Sequence, residues 1–330
     1  MKAAFKGPGG IKFKDVGTRP LKPDEIRLKV DVCGICGTDL HCDPNNKSES
    51  RIGHEMAGTI KELGSAVKNL AVGQKVALDS SSACGHCSQC KNGLQELCTN
   101  VQSFFNYMDL GFAEEVIAPA ISAVPYKGIS DAVASLQEPL GVSIDMVRLT
   151  DIDLNSNVLL IGAGPIGLMA VALAKRQGAR KIFVCQRKRR KARCQIALDW
   201  GADAIIDPEE LEKYDFGCKI DRIMVTSSPD TIGAAAKIAC KGGIITFIGL
   251  GFGEKEKITL EGNSFHFKKL QLRASFASPA MFGPMAIEYL EHGIIDGKRL
   301  VSHTYPLSEL AKGMETAMND LDAVKVVVNC

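Results

Sequence analysis

The sequence predicts a two-part α/β chain: a small β-rich barrel or sandwich, and a doubly wound parallel sheet. Three observations carry this reading. Residues 25–33, EIRLKVDVC, alternate strictly between apolar and charged side chains. Beyond about residue 150 the pattern changes to apolar strand-like runs separated by helical ones. A Gly162-x-Gly164-x-x-Gly167 turn stands where the first such run meets the first helical one.

In the first part, Ile26, Leu28, Val30 and Val32 share one strand face and the charges share the other, the pattern of a half-buried antiparallel strand. Short strand-like runs at 58–63 and 74–78 continue it, punctuated by Gly and Pro. In the second part NVLLIGAG reads as a fully buried strand and PIGLMAVALAKRQGA as a helix ending at Gly178. KIFVC is a second strand, followed by the helical KARCQIALDWGAD. DRIMVTS, the helix DTIGAAAKIAC and the strand GGIITFIGL extend the alternation, which implies parallel strands joined by crossover helices. After about residue 285 the character is mixed again, and VKVVVNC reads as a last strand.

At 330 residues the chain is long for one core, which favours two domains. It is 45% hydrophobic and 24% charged with a net charge of +2, which argues against disorder and against a nucleic-acid-binding protein as a whole. The opening MKAAFKGPGG has no apolar core of a signal peptide, so a cytoplasmic protein is expected. Residues 157–174 carry no charge over 18 residues, but three glycines and a proline make them a strand, turn and helix instead of a membrane span.

Of the 12 cysteines, four form Cys84-x2-Cys87-x2-Cys90-x7-Cys98. Four thiols so spaced can enclose one tetrahedral Zn2+ with no water position left, a site that organises a loop; an iron–sulfur cluster is the alternative. A dispersed set comprises Cys36, Thr38 and His41 in GICGTDLH, His54 and Glu55 in GHE, and Glu138 in QEPLG. A catalytic zinc needs about three protein ligands and an open position, which Cys36, His54 and one carboxylate would supply. In the glycine turn, Gly162 permits the tight bend and Gly164 a close approach of pyrophosphate. Gly167 permits close strand–helix packing.

Together GICGTDLH, GHEMAG, CGHCSQCKNGLQELC, GFAEEV, EPLGV and GAGPIG, in this order and approximate spacing, resemble the zinc-containing medium-chain alcohol dehydrogenases nearly end to end. The resemblance is strongest to the polyol, glucose and threonine dehydrogenase branch. It implies a GroES-like β-barrel catalytic domain, residues 1–147 and 286–330, and a Rossmann domain, residues 148–285. It implies Cys36 and His54 as catalytic-zinc ligands, with Glu55 and Glu138 both candidates for the remaining place. Cys84, Cys87, Cys90 and Cys98 match the structural-zinc lobe, so two Zn2+ per chain are expected. Thr38 matches the hydroxyl touching the reacting oxygen, His41 a later relay member, and Arg273 a cofactor contact. Gly162, Gly164, Pro165, Ile166 and Gly167 match the pyrophosphate turn. The implied partner is a small alcohol or ketone, with no nucleic acid or membrane, in a homodimer or homotetramer.

Three departures qualify the resemblance. Only 17 residues separate Cys36 from His54, which shortens a loop expected to roof the substrate pocket. Ser81 stands where threonine-specific members carry His, which argues against an amino-acid substrate. The third is VCQRKRRKAR, residues 184–193. Near Gln186 an NAD enzyme carries an acid that holds the ribose 2′-hydroxyl. A neutral Gln followed by Arg187 favours NADP instead, with Lys188, Arg189 or Arg190 assisting, while NAD remains the alternative. Lys191 and Arg193 are expected to be solvated. His86 is expected to be exposed and Cys33 buried, and Phe104, Phe105 and Tyr107 to line a pocket or the core. A non-catalytic binding protein of the same fold is disfavoured by the intact Cys36, Thr38, His54 and Glu138 set.

Overall fold

The computed structural model describes residues 1–40, 48–104 and 109–330. It divides into two compact units, Met1–Gly141 with Ala277–Cys330, and Val142–Phe276. The expected borders at 147/148 and 285/286 are therefore displaced. The first falls inside one helix, Gln137–Leu149, whose opening turn belongs to the first unit. The second lies instead at Phe276/Ala277, so that Gly283, on which a Cβ would collide with Asp79 Oδ1 and lie 2.5 Å from Gln137 Nε2, belongs with those residues to the first unit.

The first unit opens with a hairpin of β1 (Lys2–Gly7) and β2 (Gly10–Asp15). There follow β3 (Glu25–Gly34), β4 (Ser50–Arg51), β5 (Glu55–Leu63) and β6 (Lys75–Leu78). Next come β7 (Ser81–Ser82), β8 (Gln102–Ser103), β9 (Glu115–Pro119) and β10 (Ala123–Pro125). The alternation of β3 is realised: Ile26, Leu28, Val30 and Val32 are buried, whereas Lys29 is exposed. Ile26, Leu28 and Val30 pack with Met56, Ile60, Leu78, Phe104 and Phe112 in one apolar core. Each such side chain stabilises the fold by roughly 1.5–3 kcal/mol. β3 pairs antiparallel with both β5 and β9.

The second unit contains β11 (Asn157–Ile161), β12 (Lys181–Cys185), β13 (Ala204–Ile206), β14 (Ile220–Val225), β15 (Ala239–Phe247) and β16 (Gln271–Ala274). They form a parallel sheet in the order β13-β12-β11-β14-β15-β16. All five residues of β11 are buried, as a strand covered on both faces requires. The helix Pro165–Gln177 ends as expected at Gly178, whose φ of 107° belongs to the left-handed region. Two other helices are shorter than their sequence patterns. Lys191–Asp199 stops before Gly201, at φ 112°, and Ile232–Ile238 yields Ala239 and Cys240 to β15.

The chain then returns to the first unit, where β17 (Val301–Pro306) and β18 (Lys325–Asn329) join the main sheet. That sheet runs β10-β6-β5-β3-β18-β17, and β18 pairs antiparallel with the end of β3. The pairing carries the tail to the segment that leads into Cys36. Among the described residues no helix is long and apolar enough to cross a membrane.

Candidate metal centres and dinucleotide turn

The four lobe cysteines converge, with ligand atoms all within 4.8 Å of one another. Cys84 and Cys98 sulfurs lie 3.6 Å apart, and the N–H groups of Cys84, Cys87 and Asn100 each donate to a sulfur at 3.4 Å. The N–H groups of Cys90 and Thr99 pull the Cys87 thiol down to about 5, while burial pushes Cys90 up to about 12. Four sulfurs this close cannot all ionise without a cation among them, so the donor set fits a closed zinc site. His86 is exposed, its Nδ1 2.7 Å from the Cys84 carbonyl, and takes no part in the set.

A second set brings Cys36, His54 and Glu55 within 4.8 Å of one another. Cys36 follows the end of β3, His54 directly precedes β5, and Glu55 begins it; β3–β5 pairing places Gly34 opposite Glu55. One thiolate, one imidazole and one carboxylate are a donor set suited to a catalytic zinc. Glu138 stands outside this 4.8 Å set, accepting a hydrogen bond from Ser80 Oγ at 3.1 Å. Burial and the neighbouring Glu55 charge hold its carboxyl above the ordinary range, against the pull of His54. His54 and Glu55 are buried, whereas Cys36 and Glu138 are half-buried and Thr38 is exposed. Of the centre's own donors Cys36 is thus the one that retains solvent access, and Thr38 lies two residues after it in the chain. His41 lies outside the described residues, as do Phe105 and Tyr107. Phe104 and Cys33 belong to the core.

Three supporting residues escaped the sequence reading. Asp39, 5% exposed, accepts from the N–H of Cys36 at 2.9 Å and of Gly53 at 3.0 Å, and one of its oxygens is 3.9 Å from His54 Nδ1. It therefore fixes the backbone on both sides of the ligand pair. Lys325 of β18 forms a buried ion pair with Glu55 and donates to the Ile35 carbonyl at 3.0 Å. Burial opposes its charge, but Glu55, Cys36 and Glu138 together outweigh that and hold the ammonium above its ordinary value. Gly34 makes room for this pair, since a Cβ there would collide with Glu55 Oε2 and lie 2.9 Å from Lys325 Cε. A lysine inside the apolar run VKVVV was the available signal for Lys325. Asp39 lay unassigned within GICGTDLH.

In the second unit the glycine turn is formed as expected. Gly162 has φ 102°, and a Cβ on it would lie 2.7 Å from Thr226 Oγ1; one on Gly167 would collide with the Gly162 carbonyl. A Cβ on Gly164 would meet nothing within 4 Å, so the protein leaves open the place a pyrophosphate needs. Gly164 caps the helix Pro165–Gln177, and Ser143 Oγ donates to the Ile166 carbonyl at 3.0 Å. Gln186 lies beside the turn, where its Oε1 accepts from the Ala163 N–H at 3.0 Å.

Arg187 and Arg189 are exposed just beyond Gln186, and Arg190 caps the helix Lys191–Asp199. Lys188 is paired with Glu210 at 2.9 Å, and its N–H reaches Asp207. Lys191 is exposed as expected, but Arg193 is half-buried: burial, with the like charge of Arg190, pulls its guanidinium down to about 10. Arg273 is not brought to the turn. Its guanidinium binds Asp151 at 2.6 Å and the Leu149 carbonyl at 2.8 Å, at the end of the helix Gln137–Leu149.

Comparison with known proteins agrees with this architecture. Residues 22–128 match the alcohol dehydrogenase GroES-like domain, and residues 165–290 match the zinc-binding dehydrogenase domain. The chain is 31% identical to L-idonate 5-dehydrogenase of Vitis vinifera, covering 100% of this chain and 94% of that protein. It is 30% identical to sorbitol dehydrogenase of Bacillus subtilis, covering 99% and 97%. Among solved structures, a zinc-binding dehydrogenase of Sinorhizobium meliloti 1021 bound to NADP superposes with a TM-score of 0.86 at 27% identity, covering 100% of this chain and 99% of that one. An Escherichia coli CFT073 alcohol dehydrogenase complexed with NADH gives 0.88 at 27%, with the same coverage. A GroES-like unit bearing zinc donors, a Rossmann unit bearing an open glycine turn, and 30–31% identity to polyol dehydrogenases over nearly the whole length agree: the chain belongs to the zinc-containing medium-chain alcohol dehydrogenase family, in its polyol branch, and is a dehydrogenase acting on CH–OH groups.

Proposed function

We propose that this dehydrogenase transfers hydride between NADP(H) and a polyol, sugar derivative or small secondary alcohol, using one catalytic and one structural zinc per chain. The convergence of Cys36, His54 and Glu55 within 4.8 Å carries the reading, with Thr38 exposed two residues after Cys36. Cys36, His54 and Glu55 would hold the catalytic ion, and Cys84, Cys87, Cys90 and Cys98 the structural one. Bound there, zinc supplies a Lewis acid that lowers an alcohol's pKa, and the nicotinamide supplies the hydride acceptor.

The remaining work falls to side chains. Thr38 accepts the substrate's hydroxyl proton and passes it outward, with His41 next in the relay. Lys325 holds one oxygen of Glu55 and would leave the other for the metal. Glu138, held by Ser80, presents a carboxylate suited to a second hydroxyl of a polyol. Asp39 keeps Cys36 and His54 in register. The absence of an acid at Gln186 and the exposed Arg187 favour a 2′-phosphate, with Arg190 beside it; Lys188 is already paired with Glu210. A homodimer or homotetramer is part of the same reading.

A screen of polyols and sugar derivatives with both cofactors, followed by nicotinamide absorbance, tests this. The expected result is turnover of at least one such alcohol, faster with NADP than with NAD. Faster turnover with NAD would overturn the cofactor assignment. Near-normal turnover after metal stripping would overturn the zinc mechanism.

A further inference from the structure

The glycine turn is one peptide plane away from the two strands that flank it, and both strands reach it. From the end of β14, Thr226 Oγ1 donates to the Gly162 carbonyl at 2.6 Å. From the end of β12, Gln186 Oε1 accepts from the Ala163 N–H at 3.0 Å. These two groups belong to the same planar peptide unit, Gly162–Ala163. In the sheet, β12 and β14 lie on opposite sides of β11, which leads into the turn. We infer that Thr226 and Gln186 form a two-sided clamp on this peptide, and that they are positioning residues preorganising the turn for a dinucleotide. The inference rests on the reading of this turn as the cofactor site.

A planar peptide keeps one rotational freedom about its flanking Cα–Cα axis, and fixing both its carbonyl and its N–H removes that freedom before ligand arrives. Gly162 cannot do this alone, because glycine is the residue least restrained in φ and ψ. The site leaves no room for an alternative occupant: a Cβ on Gly162 would lie 2.7 Å from the Thr226 hydroxyl, and one on Gly167 would lie 3.2 Å from it. The backbone reinforces the same junction, since Thr226 N–H donates to the Ile161 carbonyl at 2.9 Å and Gly162 N–H to Cys185 at 3.0 Å.

The clamp also settles which way the Gln186 amide faces. An N–H donor must meet the amide oxygen, so the Gln186 NH2 is the end left for other partners. That end can donate to a phosphate. A glutamate could grip Ala163 through one oxygen equally well, but its second oxygen would repel a phosphate. Gln186 thus holds the turn with one atom and reads the ribose substituent with the other.

Binding to the zinc-loaded protein, measured by calorimetry with AMP and with adenosine 2′,5′-bisphosphate, tests this without any turnover. Thr226→Val and Gln186→Leu should each weaken both ligands roughly five-fold, the scale of one net hydrogen bond. Thr226→Ser, which keeps the hydroxyl, and Gln186→Glu, which keeps the acceptor, should restore AMP binding. Gln186→Glu should bind the bisphosphate more weakly than AMP. Wild-type AMP affinity in both Thr226→Val and Gln186→Leu would overturn the clamp, as would failure of both conservative variants to restore it. Should Thr226→Val fold poorly, the two Gln186 variants decide the question alone. If the wild type itself prefers AMP to the bisphosphate, the NADP assignment fails, while the AMP series still decides the clamp.

Discussion

Lys325 meets Glu55 with both side chains shielded from water, 3% and 2% exposed. A buried carboxylate beside a metal position is restrained here by a cation that arrives from the other end of the chain. In the metal-free protein, replacing Lys325 with Met leaves Glu55 an unpaired buried charge, a change that costs about 3–5 kcal/mol in comparable pairs. Urea unfolding should show this loss, and Lys325→Arg should recover part of it. Gly34→Ala should weaken the same pair sterically, with reduced zinc retention as the readout.

Asp39 supports the metal site without belonging to it. Its two oxygens receive the N–H groups of Cys36 and Gly53, so Asp39→Asn turns one acceptor into a donor facing a donor. Zinc affinity at the catalytic site should fall roughly 10–100-fold, as it does when other outer partners of metal ligands are removed. Chelator competition measures this directly. The lobe zinc should be unaffected, because Asp39 touches none of its cysteines.

Glu25 offers a pH test away from both metal sites. Burial tends to raise its carboxyl, but Arg19, which binds both its oxygens, and the Lys22 N–H outweigh that and hold it below its ordinary 4.5. A carboxyl depressed by folding stabilises the protein above its unfolded pKa, and the contribution is lost as pH falls through the folded value. Glu25→Gln should therefore be less stable than wild type at pH 7 by about 2 kcal/mol. The gap should close below pH 4.5. Thermal unfolding of both proteins across that range reads the difference.

Local chemistry was legible in the sequence and long-range partnership was not. The glycine turn, the lobe cysteines and the β3 alternation each declare themselves within a few residues, because the constraint is local: a positive φ at Gly162, one ion for four thiols, a face repeating every second residue. Which of Glu55 and Glu138 lies within 4.8 Å of Cys36 and His54 could not be read that way. It depends on β3–β5 pairing, which sets Glu55 beside Gly34, and on Ser80, which holds Glu138. Lys325 lies 290 residues from Ile35, its hydrogen-bond partner, and only the β18–β3 pairing brings them together. Arg193 looked like one more solvated charge in a basic run. Helix geometry instead turns it inward beside Arg190. The helix that carries it ends earlier than its apolar pattern suggests, because Gly201 adopts a left-handed conformation.

Zinc content measured together with hydride transfer tests the central assignment most directly. The wild type should hold two zinc ions per chain and reduce NADP with an alcohol substrate. Cys36→Ser should hold one, the lobe ion, bind NADPH as before and transfer no hydride. A Cys36→Ser protein that still carries two zinc ions, or that turns over alcohol near the wild-type rate, would contradict the assignment of Cys36, His54 and Glu55 as the catalytic centre.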